Sequence, residues 1–508
     1  MCSSRSGHEG GRVSTAWHSR LETLAPWPET ELPAWVPRLS WLVAAVLLLG
    51  VALTARPNRQ GDALEYLLMT ESLARHGTSE VRAGDLQSLG RQDRRLALGL
   101  EYVYSGYFDD PSGAWYSVHF WASSLLAVPA RLLLSAFGLN GLRAFPVTNV
   151  VLWMFALHQV LFALPFRPRA RLALFVLLLA SPVVFFLLWP HAEAMTAACV
   201  TLSLAALHRA RHVAAALWAA LGSLQSPPLV FLLLLVWLTS ASRDRRPRSL
   251  AAVTLAASLA AVAPLFYWAH FGTPSLLARE AANVSNLSAG RALELLFDLN
   301  LGLAPYLPLT VLLFVLASVR AFGRVRAMPF DAALVASIVA MAFASTPTGN
   351  WNHGTIGPSR YGVWLLPAVV FLVIRLGESL RGRAVTAAFA GAIVLAAASQ
   401  AAIVLAKGGP LAEPDYLEHS WAARLALRHA PWSYHPSPSV FAARTVHRPL
   451  SGPALAVYSA DGSCRKALVR PRPEDEAELM RRCGSIPDAA RAWFAEPSDP
   501  DEWRYLDY

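Results

Sequence analysis

The fold is decided by residues 38–77, which read RLSWLVAAVLLLGVALTARPNRQGDALEYLLMTESLARHG. After Arg38, residues 39–55 contain no charged side chain, and about 20 apolar residues suffice for a helix to cross a bilayer. Residues 62–76 then place apolar side chains along one side of a helix, and Gly77 is a typical helix stop. This stretch predicts a transmembrane helix followed by a second helix beside the membrane.

The rest of the chain repeats the apolar pattern. The sequence is 55% hydrophobic and 15% charged, against roughly 25% charged residues in an average soluble protein. A soluble protein would interrupt such apolar blocks with a polar helix face, so we expect an all-α polytopic membrane protein. The blocks predict about eleven membrane spans, at residues 38–55, 144–165, 172–189, 194–208, 212–226, 228–242, 249–269, 301–319, 329–346, 360–375 and 384–406.

The distribution of arginine sets the orientation of these spans. The formal net charge is +10, but the arginines cluster in short loops between spans, so we expect no nucleic-acid partner. Lys and Arg near span ends stay cytoplasmic, which places the N-terminus inside and the C-terminal tail outside. With the two ends on opposite sides, the number of crossings must be odd. The apolar stretch 120–138, which contains Pro129 and Arg131, is therefore predicted to be an interfacial helix. The same count requires residues 212–242 to form a hairpin of two spans.

Three regions follow from this topology. They are a cytoplasmic N-terminal tail at 1–37 that does not read as a signal peptide, a transmembrane domain at 38–406 with a first outer loop at 56–142, and an extracytoplasmic C-terminal domain at 407–508. In the last region, two β-type runs flank Asp461-Gly462, which predicts a small mixed α/β domain. Cys464 and Cys483 also lie there. In an oxidising periplasm they favour a disulfide, and two free thiols are the alternative.

Two carboxylates lie at the outer ends of predicted helices. Asp62 begins the first outer helix with Glu65 three residues later, which is the spacing of a capping box. A carboxylate near the membrane surface can also act as the general base for an acceptor hydroxyl. Glu193 lies beside His191 in LLWPHAEAMT, where an ordinary solvated turn is the alternative to a binding role. Two such carboxylates facing one cavity would suit the binding of a sugar or an acceptor.

Cationic and aromatic candidates lie on the same predicted face. Arg360 ends the loop TPTGNWNHGTIGPSRYGVW, where it either snorkels to head groups or clamps a phosphate. Trp351 and His353 in that loop are candidates to stack on a sugar or to hydrogen-bond with it. His119, in WYSVHF, is either a phosphate or sugar contact or a residue of the membrane interface.

Missing motifs narrow the class of protein. The sequence contains no phosphate-binding P-loop, no dinucleotide fingerprint and no nucleophile elbow. The acidic pairs at 109–110 and 499–501 lack His or Cys at ligand spacing, so we expect no metal and no other cofactor. In the interiors of the predicted spans, His158 is the one ionisable residue. Ion-coupled transporters usually need buried charges at that depth, which disfavours such a transporter.

Five segments within residues 40–375 carry a family pattern, in the order RPNRQGDALEYLLMTESLARHG, WYSVHFWASSLLAVP, SPVVFFLLWPHAEA, LFDLNLGLAPYLPLTVLL and GNWNHGTIGPSRYGVWLLP. Together they resemble the GT-C superfamily of membrane glycosyltransferases, which includes protein O-mannosyltransferases and the aminoarabinose transferase of lipid A. The chain departs from that pattern at His119, where many members have Lys, and at 225–228, where many have Arg-Pro. The tail at 407–508 is not shared with the best-known members.

The resemblance implies a GT-C-like bundle of about eleven transmembrane helices, with outer juxtamembrane helices, in the cell envelope of a bacterium at its inner membrane. It implies transfer of a sugar from a polyprenyl-phosphate donor to a glycan, lipid or protein acceptor, with inversion. Asp62 would be the catalytic base, and Glu193 would support the acceptor or the base. Arg360 and His119 would hold the lipid phosphate. The residues themselves add Glu65, Tyr66, Trp351 and His353 as predicted substrate contacts.

Two other classes of protein stay open. One is a non-catalytic or flippase-type transporter of lipid-linked saccharides, and the other is a glycan polymerase or ligase of a different fold. Replacement of Asp62 by Asn separates the first from a transferase, because a flippase loses only a helix cap whereas a transferase loses its turnover. A polymerase is recognised by a ladder of products.

Overall fold

The structure is a computed structural model that describes residues 32–92, 106–349, 351–352, 356–380, 382–450, 452–495, 499 and 501–508. It is mostly helical, with two small antiparallel sheets among the described residues. Both features agree with a helical membrane protein that has a small sheet near its C-terminus.

The helices and strands follow one another in three groups. The first group contains α1 (Trp35–Thr54), α2 (Ala63–His76), α3 (Ala83–Gln92), β1 (Tyr107–Asp109), β2 (Trp115–Ser117) and α4 (Ala122–Ala136). The second group contains α5 (Ala144–His158), α6 (Pro168–Leu179), α7 (Glu193–His208), α8 (His212–Gln225), α9 (Val230–Arg243), α10 (Pro247–Ser258) and α11 (Val262–Phe271). The third contains α12 (Leu276–Ala281), α13 (Ala289–Phe297), α14 (Pro308–Gly323), α15 (Pro329–Ala344), α16 (Arg360–Ser379) and α17 (Arg383–Ala406).

The apolar helices make this a multi-pass membrane protein by length and composition. Within the described part of the chain, five helical stretches are long and apolar enough to cross a membrane: Trp35–Thr54, Gly141–Ala163, Pro247–Phe271, Arg360–Ser379 and Ala384–Leu411. Shorter apolar helices accompany them at Ala122–Ala136, Glu193–His208, Pro227–Arg243, Pro308–Gly323 and Pro329–Ala344. The number of crossings and their orientation stay predictions.

Two predicted spans differ from the helices observed. The span expected at 172–189 is interrupted, because helix α6 ends at Leu179 and a 3₁₀ turn follows at Pro182–Phe186. Proline has no N–H to continue a helix and disfavours helical backbone in the residue before it. The span expected at 301–319 begins as a helix only at Pro308, since turns precede it and proline favours the first helical position.

The C-terminal region is the predicted mixture of helices and strands: α18 (Trp421–His429), α19 (Pro438–Thr445), β3 (Ala456–Ala460), β4 (Ser463–Val469), α20 (Pro473–Cys483), α21 (Asp488–Ala495) and β5 (Arg504–Asp507). Its three strands form an antiparallel sheet in the order β3-β4-β5. Asp461 and Gly462 have φ angles of 54° and 74°, as a two-residue hairpin turn requires. Cys464 and Cys483 form a disulfide between β4 and the end of α20.

Helix α2 packs against α4 and α5. Its residues Tyr66, Leu67 and Met69 are buried in one cluster with side chains of α4 and with Phe145 of α5. The hydroxyl of Ser124 in α4 donates a hydrogen bond to the Tyr66 carbonyl at 3.1 Å. This packing fixes the first turn of α2 next to the turn before α7 and to the start of α16.

Candidate active site

The carboxylate of Asp62 is the centre of a cluster of charged side chains. Asp62 takes the N-cap position of α2, but its side chain makes no capping hydrogen bond. Its Oδ2 instead accepts a hydrogen bond from Arg360 Nη1 at 2.8 Å and lies 3.1 Å from His191 Nε2 and 3.2 Å from His119 Nε2. The capping-box interpretation is therefore wrong, because three nitrogens from distant segments hold this carboxylate.

Arg360 is held where a helix disfavours a cation. It is the first residue of α16, and the positive end of the helix dipole opposes a guanidinium there. The ion pair with Asp62 offsets this cost, and Nη1 also lies 3.0 Å from His191 Nε2. The side chain is 8% exposed, and its Nε has no hydrogen-bond partner among the described residues. Arg360 thus has spare donor capacity inside the cluster.

His191 is fixed on both ring nitrogens and on one face. Its Nδ1 contacts the Glu193 carboxylate, which starts α7, where the helix dipole favours a negative charge. The Trp189 ring stacks on His191 with centroids 4.2 Å apart and an angle of 17°. Asn149 Nδ2 donates to the Trp189 carbonyl at 3.0 Å and anchors the turn. The buried Glu193 therefore acts on Asp62 through His191.

Glu65 and Tyr66 form the other side of the cluster. Glu65 Oε2 accepts a hydrogen bond from the Ser117 hydroxyl at 2.9 Å and lies 4.0 Å from His119 Nε2. The Tyr66 ring stacks on His119, with centroids 5.3 Å apart and an angle of 22°. Gly106 lies against the Glu65 carboxyl, so a Cβ at this position would displace that carboxyl. The strand pair β1/β2 and helix α2 thus position His119 together.

The ionisation of the two α2 carboxyls differs. Burial alone would raise the pKa of Asp62, but the charges of Arg360 and His119, with hydrogen bonds from His119 and His191, hold it well below its usual range. Burial raises the pKa of Glu65 above its usual value. Burial also acts to lower the pKa of His191, yet the neighbouring carboxylates raise it overall. Asp62 is therefore an ionised carboxylate, and 23% of its side chain is exposed.

Six of the predicted site residues come together in the structure: Asp62, Glu65, Tyr66, His119, Glu193 and Arg360. Trp351 contacts other residues, Tyr361 and Glu294. Its ring is parallel to that of Tyr361 with centroids 6.0 Å apart, and its Nε1 donates to Glu294. His353 lies outside the described residues. The sugar-binding role of Trp351 and His353 stays a prediction.

Sequence reasoning missed three residues of the site. His191 was noticed only as the neighbour of Glu193, although a His two residues before a helix-starting Glu is a usable signal. Trp189 supplies the stacking ring. Gln225, at the end of α8, donates from Nε2 to the Tyr66 hydroxyl at 3.0 Å, and its Oε1 accepts from Ser123. The family resemblance marks 225–228 as a departure from Arg-Pro, but nothing in the local sequence predicts the contact of Gln225 with Tyr66.

The same residues raise the question of a metal ion. One ligand atom from each of Asp62, His119 and His191 lies within 4.8 Å of the other two, and carboxylate with imidazole suits several transition metals. However, the Arg360 guanidinium already bonds with Asp62 and lies beside His191. A divalent ion at this position would be repelled by that fixed positive charge. The residues therefore fit a metal poorly, and we keep the expectation of a metal-free site.

Comparisons with known proteins return little. No protein-family model matches the sequence, and no curated protein matches it. Among solved structures, the chain is similar to the archaeal oligosaccharyltransferase AglB from Archaeoglobus fulgidus, in complex with an inhibitory peptide and a dolichol-phosphate. The match has a TM-score of 0.40 and 14% identity, and it covers 83% of this chain and 61% of that one. This chain thus matches less than two thirds of the archaeal protein.

Proposed function

We propose that the protein is a membrane glycosyltransferase of the GT-C type, which transfers a sugar from a polyprenyl-phosphate donor to a hydroxyl acceptor at the outer face of a bacterial inner membrane. The observation that carries this proposal is the convergence of an ionised, partly exposed carboxylate with an arginine and two histidines at the ends of apolar helices. Attack by a hydroxyl and departure of a phosphate require a base and fixed cations in one site. The name of the similar archaeal protein agrees with this function, but we rest the proposal on the cluster.

The residues have distinct roles in the proposed reaction. Asp62 takes the proton of the acceptor hydroxyl while the hydroxyl oxygen forms a bond with the anomeric carbon of the donor sugar. The bond between that carbon and the phosphate oxygen breaks, and its electron pair leaves with the lipid phosphate. Arg360 and His119 stabilise the charge on the leaving phosphate. A single displacement inverts the configuration of the sugar.

The ion pair between Asp62 and Arg360 implies that the donor binds before Asp62 becomes an effective base. With Arg360 at 2.8 Å, the pKa of Asp62 is low, and a carboxylate with a low pKa is a weak base. A donor phosphate competes for the same guanidinium, with which it forms strong charge-assisted hydrogen bonds. Donor binding would thus weaken the ion pair and raise the basicity of Asp62 beside the acceptor.

Glu193 and His191 are positioning residues in this proposal. His191 Nε2 faces Asp62 Oδ2 at 3.1 Å while Nδ1 is engaged by Glu193, so the pair orients the base. Glu65 and Tyr66 act in the same way on His119, which they hold by proximity and by stacking. Substitution of these residues should lower turnover less than substitution of Asp62 does.

The test is sugar transfer from a panel of radiolabelled polyprenyl-phosphate sugars, with purified wild type, Asp62→Asn and a control variant, Glu80→Gln. Glu80 lies in the same outer loop and pairs with Arg82 at the surface. We expect label in an acceptor with wild type and Glu80→Gln, and none with Asp62→Asn.

Each other outcome has a defined meaning. If folded wild type moves no label from any donor, the transferase proposal is wrong, and reorientation of lipid-linked saccharides across vesicles becomes the next assay. If Asp62→Asn transfers as fast as wild type, the enzyme class stands but Asp62 is not the base. A ladder of products would identify a polymerase.

A further inference from the structure

A cavity of about 690 Å³ lies beside the Asp62 cluster, at the end of α1 and next to residues 410–414 after α17. Its volume falls within the range of small-molecule sites. Part of the lining is apolar and comes from Phe185, Leu188 and Ile356, which are buried. Because α1 and the stretch to Leu411 are long and apolar enough to cross a membrane, we expect the cavity to lie at a membrane boundary.

The cavity and the cluster share one segment of chain. Gln60 lines the cavity and is two residues from Asp62, and its carbonyl accepts a hydrogen bond from Trp189 Nε1 at 2.9 Å. The Trp189 ring is the one that stacks on His191. The backbone N–H of Asn58, also in the lining, donates to the Leu188 carbonyl at 3.0 Å. A molecule in the cavity therefore contacts the segment that holds the catalytic carboxylate.

The charge of the lining is positive. Of the described residues that line the cavity, Arg56, Arg59 and Arg143 are basic and Glu413 is acidic. A cleft with an excess of one charge concentrates ions of the opposite sign. Asn58 adds a polar donor, because its Oδ1 accepts from Gln60 N–H while its Nδ2 has no partner among the described residues. The lining is suited to an anion.

These arginines are also unusual for their place in the chain. Arg56 lies two residues after the end of α1, and Arg143 directly precedes α5. Arg143 Nη2 donates a hydrogen bond to the Thr54 carbonyl at 3.3 Å. On the predicted topology both arginines lie at outer span ends, where Lys and Arg are normally avoided. A ligand that needs them explains their position.

The cationic lining of the cavity suits a second anionic group, distinct from the donor phosphate. A polyprenyl-phosphate sugar carries one phosphate, for which the cluster supplies Arg360 and His119. Arg56 and Arg143 are a separate set of cations, which line the cavity together with its apolar wall. We infer that this cavity binds a phosphate-bearing lipid and that this lipid is the acceptor whose hydroxyl meets Asp62. The acceptor role rests on the proposed function, whereas the binding of a phosphate-bearing lipid does not.

The experiment measures binding of short-chain phosphatidic acid to the purified, delipidated full chain in a neutral detergent, with short-chain phosphatidylcholine and inorganic phosphate as comparison probes. We expect Arg56→Gln and Arg143→Gln each to weaken phosphatidic acid binding by roughly 5-fold and the double variant by about 25-fold. Arg143→Lys keeps the charge and should recover most of the binding. The control is Arg279→Gln, an exposed arginine that pairs with Glu280 away from the cavity and should bind as wild type does.

A second arm separates the two lipid phosphates. Polyprenyl phosphate should bind the Arg56/Arg143 double variant as it binds wild type and should bind Arg360→Met more weakly. Thermal unfolding identifies any variant that fails to fold. If Arg143→Gln does not fold, phosphatidic acid binding by Arg143→Lys is compared with that of wild type instead. The inference is overturned if the double variant binds phosphatidic acid as tightly as wild type, if inorganic phosphate displaces the lipid completely at equal concentration, or if polyprenyl phosphate weakens by the same factor. Arginine-dependent lipid binding without sugar transfer by wild type would support the cavity site and refute the proposed function alone.

Discussion

Two buried polar networks in this molecule are built differently. In the cluster around Asp62, nitrogens from three separate segments approach one carboxylate oxygen at 2.8 to 3.2 Å. In the other, which we call the docking network (Asp298, Asn300, His419, Tyr434 and Arg444), the carboxylate has its partners divided between two oxygens. Asp298 Oδ1 accepts from the N–H groups of Asn300 and Leu301, both at 2.7 Å, and Oδ2 accepts from the Tyr434 hydroxyl at 2.9 Å.

The rest of the docking network consists of further hydrogen bonds between different pairs of polar groups. Asn300 donates to the Tyr434 hydroxyl at 2.9 Å and accepts from the Ser420 N–H at 3.0 Å. Arg444 Nε donates to Asn352 Oδ1 at 3.0 Å, close to the loop that leads to Arg360. These bonds attach the C-terminal helices to the loops between the apolar helices.

The difference is visible in the pKa of the two aspartates. Burial raises the pKa of Asp298 above its usual value, and its hydrogen bonds offset only part of this effect. Burial acts in the same direction on Asp62, but Arg360 and the two histidines reverse it. Converging cations, and not burial, therefore mark the carboxylate that we assign to chemistry, and perturbed groups of this kind are typical of functional sites.

The variant Arg360→Met should have the largest effect on sugar transfer, and it tests whether the cations around Asp62 distinguish this cluster from the docking network. Loss of a fixed cation that stabilises developing charge costs about 100- to 1,000-fold in turnover. The measurement is the initial rate of sugar transfer per folded protein. Arg360→Lys keeps the charge without the fork geometry, so its transfer rate should lie between those of wild type and Arg360→Met. Equal rates for wild type and Arg360→Met would contradict a role of this residue at the phosphate.

The next largest effect should come from removal of the disulfide in the double variant Cys464→Ser/Cys483→Ser. The two cysteines are 19 residues apart, and closure of a loop of this size contributes about 3 kcal/mol on the chain-entropy model. We expect the C-terminal region to unfold at a lower temperature while the transfer rate at low temperature stays near that of wild type. Wild type treated with a reductant is the control, and an unchanged unfolding temperature would show that the bond contributes little.

A smaller effect is expected from Tyr434→Phe in the docking network. The variant removes the hydrogen bond that Asp298 Oδ2 accepts and one of those that the Asn300 amide donates, which costs about 1–3 kcal/mol. Thermal unfolding should shift accordingly, with the transfer rate retained below the transition. Tyr458→Phe is the matched control, because its hydroxyl makes no hydrogen bond among the described residues. If Tyr434→Phe lost turnover at full stability, the docking network would belong to the active site.

The smallest effect is expected from a metal chelator. Because Arg360 already neutralises Asp62 inside the cluster, transfer should be unchanged by EDTA. Rates with EDTA, and then with added Mn²⁺ or Zn²⁺, measure this directly. A loss that either ion restores would mean that Asp62, His119 and His191 hold a metal after all.

Local signals in the sequence predicted a good part of this architecture. The apolar block before Arg56, the Asp461-Gly462 turn and the pairing of Cys464 with Cys483 all depend on neighbouring residues or on a short loop. Asp62 was a candidate because a carboxylate lies shortly after a predicted membrane span. The break of the predicted span 172–189 was also readable, in principle, from its internal proline.

The remainder depends on contacts between residues far apart in the chain. Asp62 and Arg360 are separated by 298 residues, and Gln225 meets Tyr66 across 159. No spacing rule places such residues together, since the packing of the apolar helices decides which helix ends meet. The same holds for the docking network, where Asn300 and Tyr434 are 134 residues apart.

The most direct test of the account is a matched pair of variants, Asp62→Asn and Asp298→Asn, compared for transfer rate and thermal unfolding in the same detergent. Both replace a largely buried carboxylate by its amide. We predict that Asp62→Asn folds but loses at least about 100-fold in transfer from the polyprenyl-phosphate donor, as expected for a general base. Asp298→Asn should keep the wild-type rate and unfold at a lower temperature. Retained transfer by Asp62→Asn, or loss of transfer by a stably folded Asp298→Asn, would contradict the assignment of catalysis to the Asp62 cluster.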